Sequence, residues 1–295
     1  MVNLVLCIVK IHFRCYNLSN RVHPNSRRLF MVNKHSNLSI ILYGLRFSSL
    51  PYEEKLRKLR QIGYRSIQGV IAPGLDDQAH KALIDELGME FCCMAAGLDD
   101  LESDPGKYVN CCRVFDCDQI MIGTMPTEYR ADYDGYMRGI DRLNGAGRML
   151  AKEGLTLGYH NHAQEFRRFD NGKTGMELLF EGFDPQAVHF LLDTHWVQSG
   201  GGDILWWIER CKGRMSYLHV KDYRIAPANY HTGIGETEKQ FAQVGDGNLL
   251  WQAIVDTALN AGVKAFIVEQ DFLYGQDPFD CAEASYMTLK ACGLH

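Results

Sequence analysis

The chain has 295 residues, 46% of them hydrophobic and 23% charged, with a net charge of −5 at neutral pH and an isoelectric point near 6.1. That balance gives a globular domain a sizeable core and argues against a nucleic-acid partner, which calls for a basic face. Ten cysteines include the adjacent pairs Cys92-Cys93 and Cys111-Cys112 but no Cys-x-x-Cys spacing, so zinc-ribbon and thioredoxin chemistry lack their motifs. The cysteines read as small reduced hydrophobes, and the compartment as cytoplasmic.

No Asp or Glu precedes Glu53, whereas Lys10, Arg14, Arg21, Arg27, Arg28 and Lys34 are basic. Residues 1–39 read as a poorly ordered basic extension, and Met31 as a plausible natural start. The apolar run from Met1 to Phe13 is interrupted by Lys10 and His12, has no small-residue cleavage site and is too short for a bilayer. No membrane partner is expected.

From residue 40 apolar runs alternate with amphipathic segments. Strands are predicted over Ile40–Leu45, Ser66–Ile71, Met89–Ala95, Gln119–Gly123, Leu155–His160, Val188–Asp193, Met215–Val220 and Lys264–Glu269. Helices are predicted over Tyr52–Ile62, Asp76–Leu87, Pro105–Val114, Asp132–Lys152, Thr174–Phe180, Asp203–Cys211, Leu249–Ala261 and Asp280–Cys292, several closed by glycine. A loop runs through Pro227, Gly233 and Gly235. Eight strand–helix units over about 250 residues predict one (β/α)8 TIM barrel, residues 40–295. An open doubly wound sheet would favour a Gly-rich phosphate loop after strand one, and Gly44-Leu45-Arg46-Phe47 is not one.

Functional residues of such a barrel lie at the C-terminal ends of strands. Strand five runs into Tyr159-His160-Asn161-His162-Ala163-Gln164-Glu165, strand six into Asp193-Thr194-His195-Trp196, strand seven into His219-Val220-Lys221-Asp222 and strand eight into Glu269-Gln270-Asp271. Four successive strands thus deliver acids and imidazoles to one rim. Singly, each acid could cap a helix or pair with a lysine; together they form an O/N donor set suited to Mn, Co, Mg, Fe or Zn. Glu165, Asp193, His219 and Glu269 are the expected ligands of one divalent metal ion, manganese first. Tyr159, Asn161, His195 and Trp196 are candidate substrate contacts, the aromatic rings as platforms for a sugar face.

The segment Gly158-Tyr159-His160-Asn161-His162-Ala163-Gln164-Glu165-Phe166 resembles the signature of the sugar phosphate isomerase/epimerase family, the xylose-isomerase-like barrels. Leu192-Asp193-Thr194-His195-Trp196-Val197, His219-Val220-Lys221-Asp222, Val244-Gly245-Asp246-Gly247-Asn248 and Val268-Glu269-Gln270-Asp271 resemble it in the same order. The similarity covers about residues 40–292. It implies a TIM barrel with one divalent metal held at the positions of Glu165, Asp193, His219 and Glu269. Many relatives carry the strand-five ligand as a Glu near the position of His160, so either His160 or Glu165 is the ligand here. Many also carry His three residues after the strand-six Asp, where this chain has Trp196.

The expected reaction is isomerisation or epimerisation of a keto sugar or related polyol through an enediolate. His160, His162 or Glu269 moves the proton, and Lys221 offsets oxyanion charge. The alternative is a lyase of the same fold: an inosose or dehydroshikimate dehydratase, or a C-glycoside deglycosidase subunit acting on 3-keto glycosides. The family implies a homo-oligomer, or a hetero-oligomer for a deglycosidase. An AP-site endonuclease would need more ligands and a basic groove; a non-catalytic barrel would not need the acid and imidazole rim.

Overall fold

Period-two alternation along short apolar runs decides this architecture, because successive side chains of a strand face opposite sides. A computed structural model describes residues 37–71, 74–228 and 237–295. Its strands are β1 (Leu38–Ile41), β2 (Ser66–Gly69), β3 (Glu90–Ala96), β4 (Gln119–Ile122), β5 (Thr156–His160), β6 (Val188–Asp193), β7 (Tyr217–Val220), β8 (Asp222–Pro227), β9 (Thr237–Ala242) and β10 (Ala265–Val268). Eight of them close a parallel barrel in the order β1-β10-β7-β6-β5-β4-β3-β2. The helices are α1 (Tyr52–Ile62), α2 (Asp77–Glu86), α3 (Leu98–Ser103), α4 (Pro105–Phe115), α5 (Tyr133–Ala151), α6 (Gly175–Gly182), α7 (Thr194–Ser199), α8 (Ile204–Arg210), α9 (Trp251–Ala261) and α10 (Pro278–Ala291).

One face of each strand joins a large apolar layer under the helices, including Leu38, Leu157, Phe190, Leu218 and Phe266. The other face fills the barrel with a smaller plug: Cys93, Met121, Leu191, Tyr217, Ala265 and Ile267. Two residues beyond Leu191, Tyr217 and Ile267 on the same face come Asp193, His219 and Glu269. The plug therefore ends where the polar rim begins. Inside the barrel Gly158 makes room for Gln119, whose Nε2 would lie 2.6 Å from a Cβ there.

Three local expectations change. The first strand starts at Leu38 and gives way after Ile41 to a 3-10 turn, Leu42–Phe47, so the barrel begins inside the extension expected over 1–39. The rest of that extension, to residue 36, lies outside the described residues, as do Gly233 and Gly235. The presumed loop after strand seven contains an antiparallel hairpin, β8 with β9, and the barrel's eighth strand is β10. The short helices α3 and α7 are additions.

Asp222 ties that hairpin to the barrel. Its carboxylate accepts from Gly245 N at 3.1 Å, Leu249 N at 3.3 Å and Trp251 Nε1 at 2.6 Å. A Cβ on Gly247 would sit 2.2 Å from Asp222 Oδ1. The His219–Asp222 and Val244–Asn248 segments are thus one structural unit, which explains why both are sequence landmarks.

Candidate active site

Strand register brings the rim residues together. Asp193 lies beside His219 across β6–β7, and His219 beside Ile267 across β7–β10. One potential ligand atom each from His160, Asp193, His219 and Glu269 falls within 4.8 Å of the others, all four residues being buried. His219 Nδ1 is 2.8 Å from Glu269 Oε2. Asp193 has two roles: Oδ1 caps α7 by accepting from Trp196 N at 2.8 Å, while Oδ2 is buried without a hydrogen bond. The capping and ligand readings of Asp193 are compatible, since they use different oxygens.

Lys221 lies against the same acids and is 1% exposed. Its Nζ is 3.2 Å from Asp193 Oδ2, 2.9 Å from Glu269 Oε2 and 2.9 Å from Asp271 Oδ2. Burial opposes the ammonium charge, but the three carboxylates outweigh it and raise the Lys221 pKa. Burial lifts Asp193 to about 6 against the pull of Lys221. In Glu269 burial also opposes ionisation, yet Lys221 and His219 hold the carboxyl well below its ordinary range. Burial, then His219, keeps His160 well below a usual imidazole. Burial and Lys221 bring His162 down to about 4.

These residues fit a divalent cation. Three carboxylates against one ammonium leave two negative charges, which a divalent ion matches. His160 Nδ1 is buried without a hydrogen-bond partner, an unmet atom whose desolvation cost coordination would remove, and Asp193 Oδ2 accepts no hydrogen bond beyond its ion pair with Lys221. The donor set of two carboxylates and two imidazoles suits Mn, Fe, Co or Zn.

Glu165, expected as a ligand, is not brought into this group. It is fully buried, and its carboxylate accepts from Tyr159 Oη at 2.8 Å, His162 N at 2.7 Å and Gln164 Nε2 at 3.2 Å. The reason is its place in a 3-10 turn, Ala163–Phe166, beyond the strand. His160, the last residue of β5, shares its inward face with Gly158 and occupies the fourth position. Glu165→Gln is expected to keep bound metal at the wild-type level, as elemental analysis would show. It should cost about 1–3 kcal/mol in thermal unfolding, because both oxygens of Glu165 accept from donors and the amide replaces one of them with an NH2.

The cavity above the plug has a volume of about 530 Å³. One half of its wall is His160, His162, His219, Glu269 and Asp271. The other half comes from β1–β4 and their loops: Ile41, Val70, Ile71, Ala95, Ala96 and Met121, with Tyr43, Tyr108 and Gln68. The candidate substrate contacts lie elsewhere. Tyr159 points outward under the helices, its ring against Phe183. Asn161 is buried and accepts from Asp193 N at 3.0 Å, which orients Asp193. Trp196 stacks near His162 and covers Lys221, and His195 lies behind it against Tyr223 and Phe241. None of these four lines the cavity, and neither does Lys221. Gln68, a neutral amide in a four-residue strand, carried no signal of chemistry in the sequence.

Residues 56–278 match the family described as "Xylose isomerase-like TIM barrel". The chain belongs to this family. Among curated proteins, this xylose isomerase-like barrel is 29% identical to an inosose dehydratase of Geobacillus thermodenitrificans over 52% of its own length and 54% of that protein's. It is 26% identical to an inosose dehydratase of Bacillus licheniformis over 74% of its own length and 71% of that protein's. The chain thus spans about half of the first of these relatives. Its fold resembles a sugar phosphate isomerase/epimerase from Parabacteroides distasonis, with a TM-score of 0.73 at 20% identity, covering 88% of this chain and 96% of that one. The chain has the fold and acid–imidazole rim of an enzyme. Among the described residues no helix is long and apolar enough to cross a membrane.

Proposed function

We propose that this protein is a metal-dependent lyase that removes water from a cyclic keto polyol of the inosose class. The observation that carries the reading is the one-sided cavity. Every carboxylate and imidazole among its described lining residues lies on the half formed by β5, β7 and β10 and the loops after them, and the facing half offers only tyrosine hydroxyls and an amide. Epimerisation needs a proton acceptor and a proton donor on opposite faces of one carbon. Syn loss of water needs them on one face only. The inosose dehydratases among the relatives support the same reading.

His160, Asp193, His219 and Glu269 would hold the ion. When bound, a divalent ion supplies Lewis-acid stabilisation of negative charge growing on a substrate carbonyl oxygen. The chain's own part is proton transfer. His162 lines the cavity, is held neutral at pH 7 and has a buried Nδ1 without a partner. It takes the proton from the carbon next to the carbonyl and passes it to the departing hydroxyl, so water leaves and the imidazole returns to its starting state. Lys221 keeps the carboxylates of Asp193 and Glu269 ionised and oriented. Trp196, over the Lys221 ammonium, shields these charges from water.

The test is incubation of the manganese-loaded protein with inososes and open-chain keto sugars, followed by mass spectrometry. A product lighter by one water, lost on His162→Ala, is the expected result. A product of unchanged mass would favour the second reading, a sugar isomerase, which the Parabacteroides fold relative supports. No change of any substrate would refute both. Metal affinity should fall as pH drops from 7 to 5. The Asp193 carboxyl, at about 6, must be deprotonated to bind, so affinity is full above that value and declines up to about tenfold per pH unit below it. Calorimetric titration at three pH values checks this.

A further inference from the structure

We propose that Gln68 is the positioning residue that makes Nδ1 the coordinating atom of His219, a proposal that rests on the metal-site reading above. His219 Nε2 is 2.7 Å from Gln68 Oε1, while Nδ1 is 2.8 Å from Glu269 Oε2. A neutral imidazole has one N–H, and the nitrogen that binds a cation must be bare. A carbonyl oxygen at Nε2 accepts only. It holds a proton at Nε2 when a cation takes the place of the proton between Nδ1 and Glu269, so Nδ1 is the nitrogen left to coordinate.

The contact is built across the barrel. Gln68 is on β2, separated from β7 by β1 and β10, and is fully buried. The β2–β3 register shifts between Ile67 and Gln68, an irregularity of the kind that re-aims a side chain. Gln68 Nε2 has no hydrogen-bond partner, so the carboxamide is oriented by His219 alone. The reversed carboxamide would donate to Nε2, drive the proton to Nδ1 and remove His219 from the ligand set. A glutamate at this position has acceptor oxygens only, so it separates the two arrangements.

The experiment is Co²⁺ titration of the full chain, followed by calorimetry and by the visible absorption band of the bound ion. It uses the wild type, Gln68→Leu, Gln68→Glu and Gln119→Leu. Gln119 is a second buried carboxamide, on β4, with no bond to any candidate ligand. Gln68→Leu should bind Co²⁺ about 10–100-fold more weakly with an altered band, the usual cost of losing a partner behind a metal ligand. Gln68→Glu should match or exceed the wild type, and Gln119→Leu should equal it. Wild-type affinity and spectrum in Gln68→Leu would overturn the proposal. So would an equal loss in Gln119→Leu, or a loss in folded Gln68→Glu, which decides the matter by itself should Gln68→Leu not fold. A wild-type chain that binds no Co²⁺ would overturn the metal site itself, a result distinct from normal binding that ignores Gln68.

Discussion

The wild type is expected to emerge from purification with about one equivalent of a divalent ion, a count set by one closed ligand group, and Asp193→Asn and His219→Ala without it. The asparagine variant is the sharper of the two. Its amide oxygen can still accept from Trp196 N and hold the start of α7, so the fold survives while the charge at Oδ2 is lost. His219→Ala removes the nitrogen that faces Glu269. Each variant should bind Mn²⁺ or Co²⁺ at least about 100-fold more weakly, beyond the 10–100-fold typical of residues behind a ligand. Elemental analysis followed by calorimetric titration reads the effect. An ion retained at wild-type stoichiometry in both variants would place the metal elsewhere.

The second large effect is on stability. Lys221→Met keeps much of the side chain's volume but leaves Asp193, Glu269 and Asp271 without the cation that now balances them. Removing one partner of a buried ion pair costs about 3–5 kcal/mol, here roughly 10 °C in Tm. The loss should be largest in metal-free protein at neutral pH and should shrink when a divalent ion is added, because the ion restores the missing positive charge. Thermal unfolding with and without Mn²⁺ measures both. A Lys221→Met protein as stable as the wild type without metal would mean that the acids there are already protonated or solvated.

The rim was legible in the sequence wherever a polar residue ended an apolar run at the inward parity. Asp193, His219 and Glu269 each stand two residues beyond a plug residue, Leu191, Tyr217 or Ile267, so a strand boundary and a period of two suffice to find them. Strand five was harder, because it ends in several polar residues and the carboxylate of Glu165 carries more apparent ligand character than an imidazole. Parity decides there too: His160 shares the face of Gly158, whereas Tyr159 faces the helices and Glu165 lies in the following turn. Parity could equally have warned against Tyr159 as a substrate contact. Gln68 and the β8–β9 hairpin were not legible. One amide has no distinctive chemistry, and the hairpin's exposed residues lack a buried face.

The uneven cavity wall has a consequence for how such a protein can change over time. Its reactive equipment comes from the C-terminal half of the chain, while Ile41, Val70, Ile71, Ala95, Ala96 and Met121 shape the opposite wall from the N-terminal half. On the proposed reading, drift in those apolar positions alters which molecule fits without disturbing the acids and imidazoles of the opposite wall. Selection can therefore retune preference one small side chain at a time, and a laboratory seeking a new substrate should diversify these apolar positions and leave Gln68 and strands β5, β6, β7 and β10 alone.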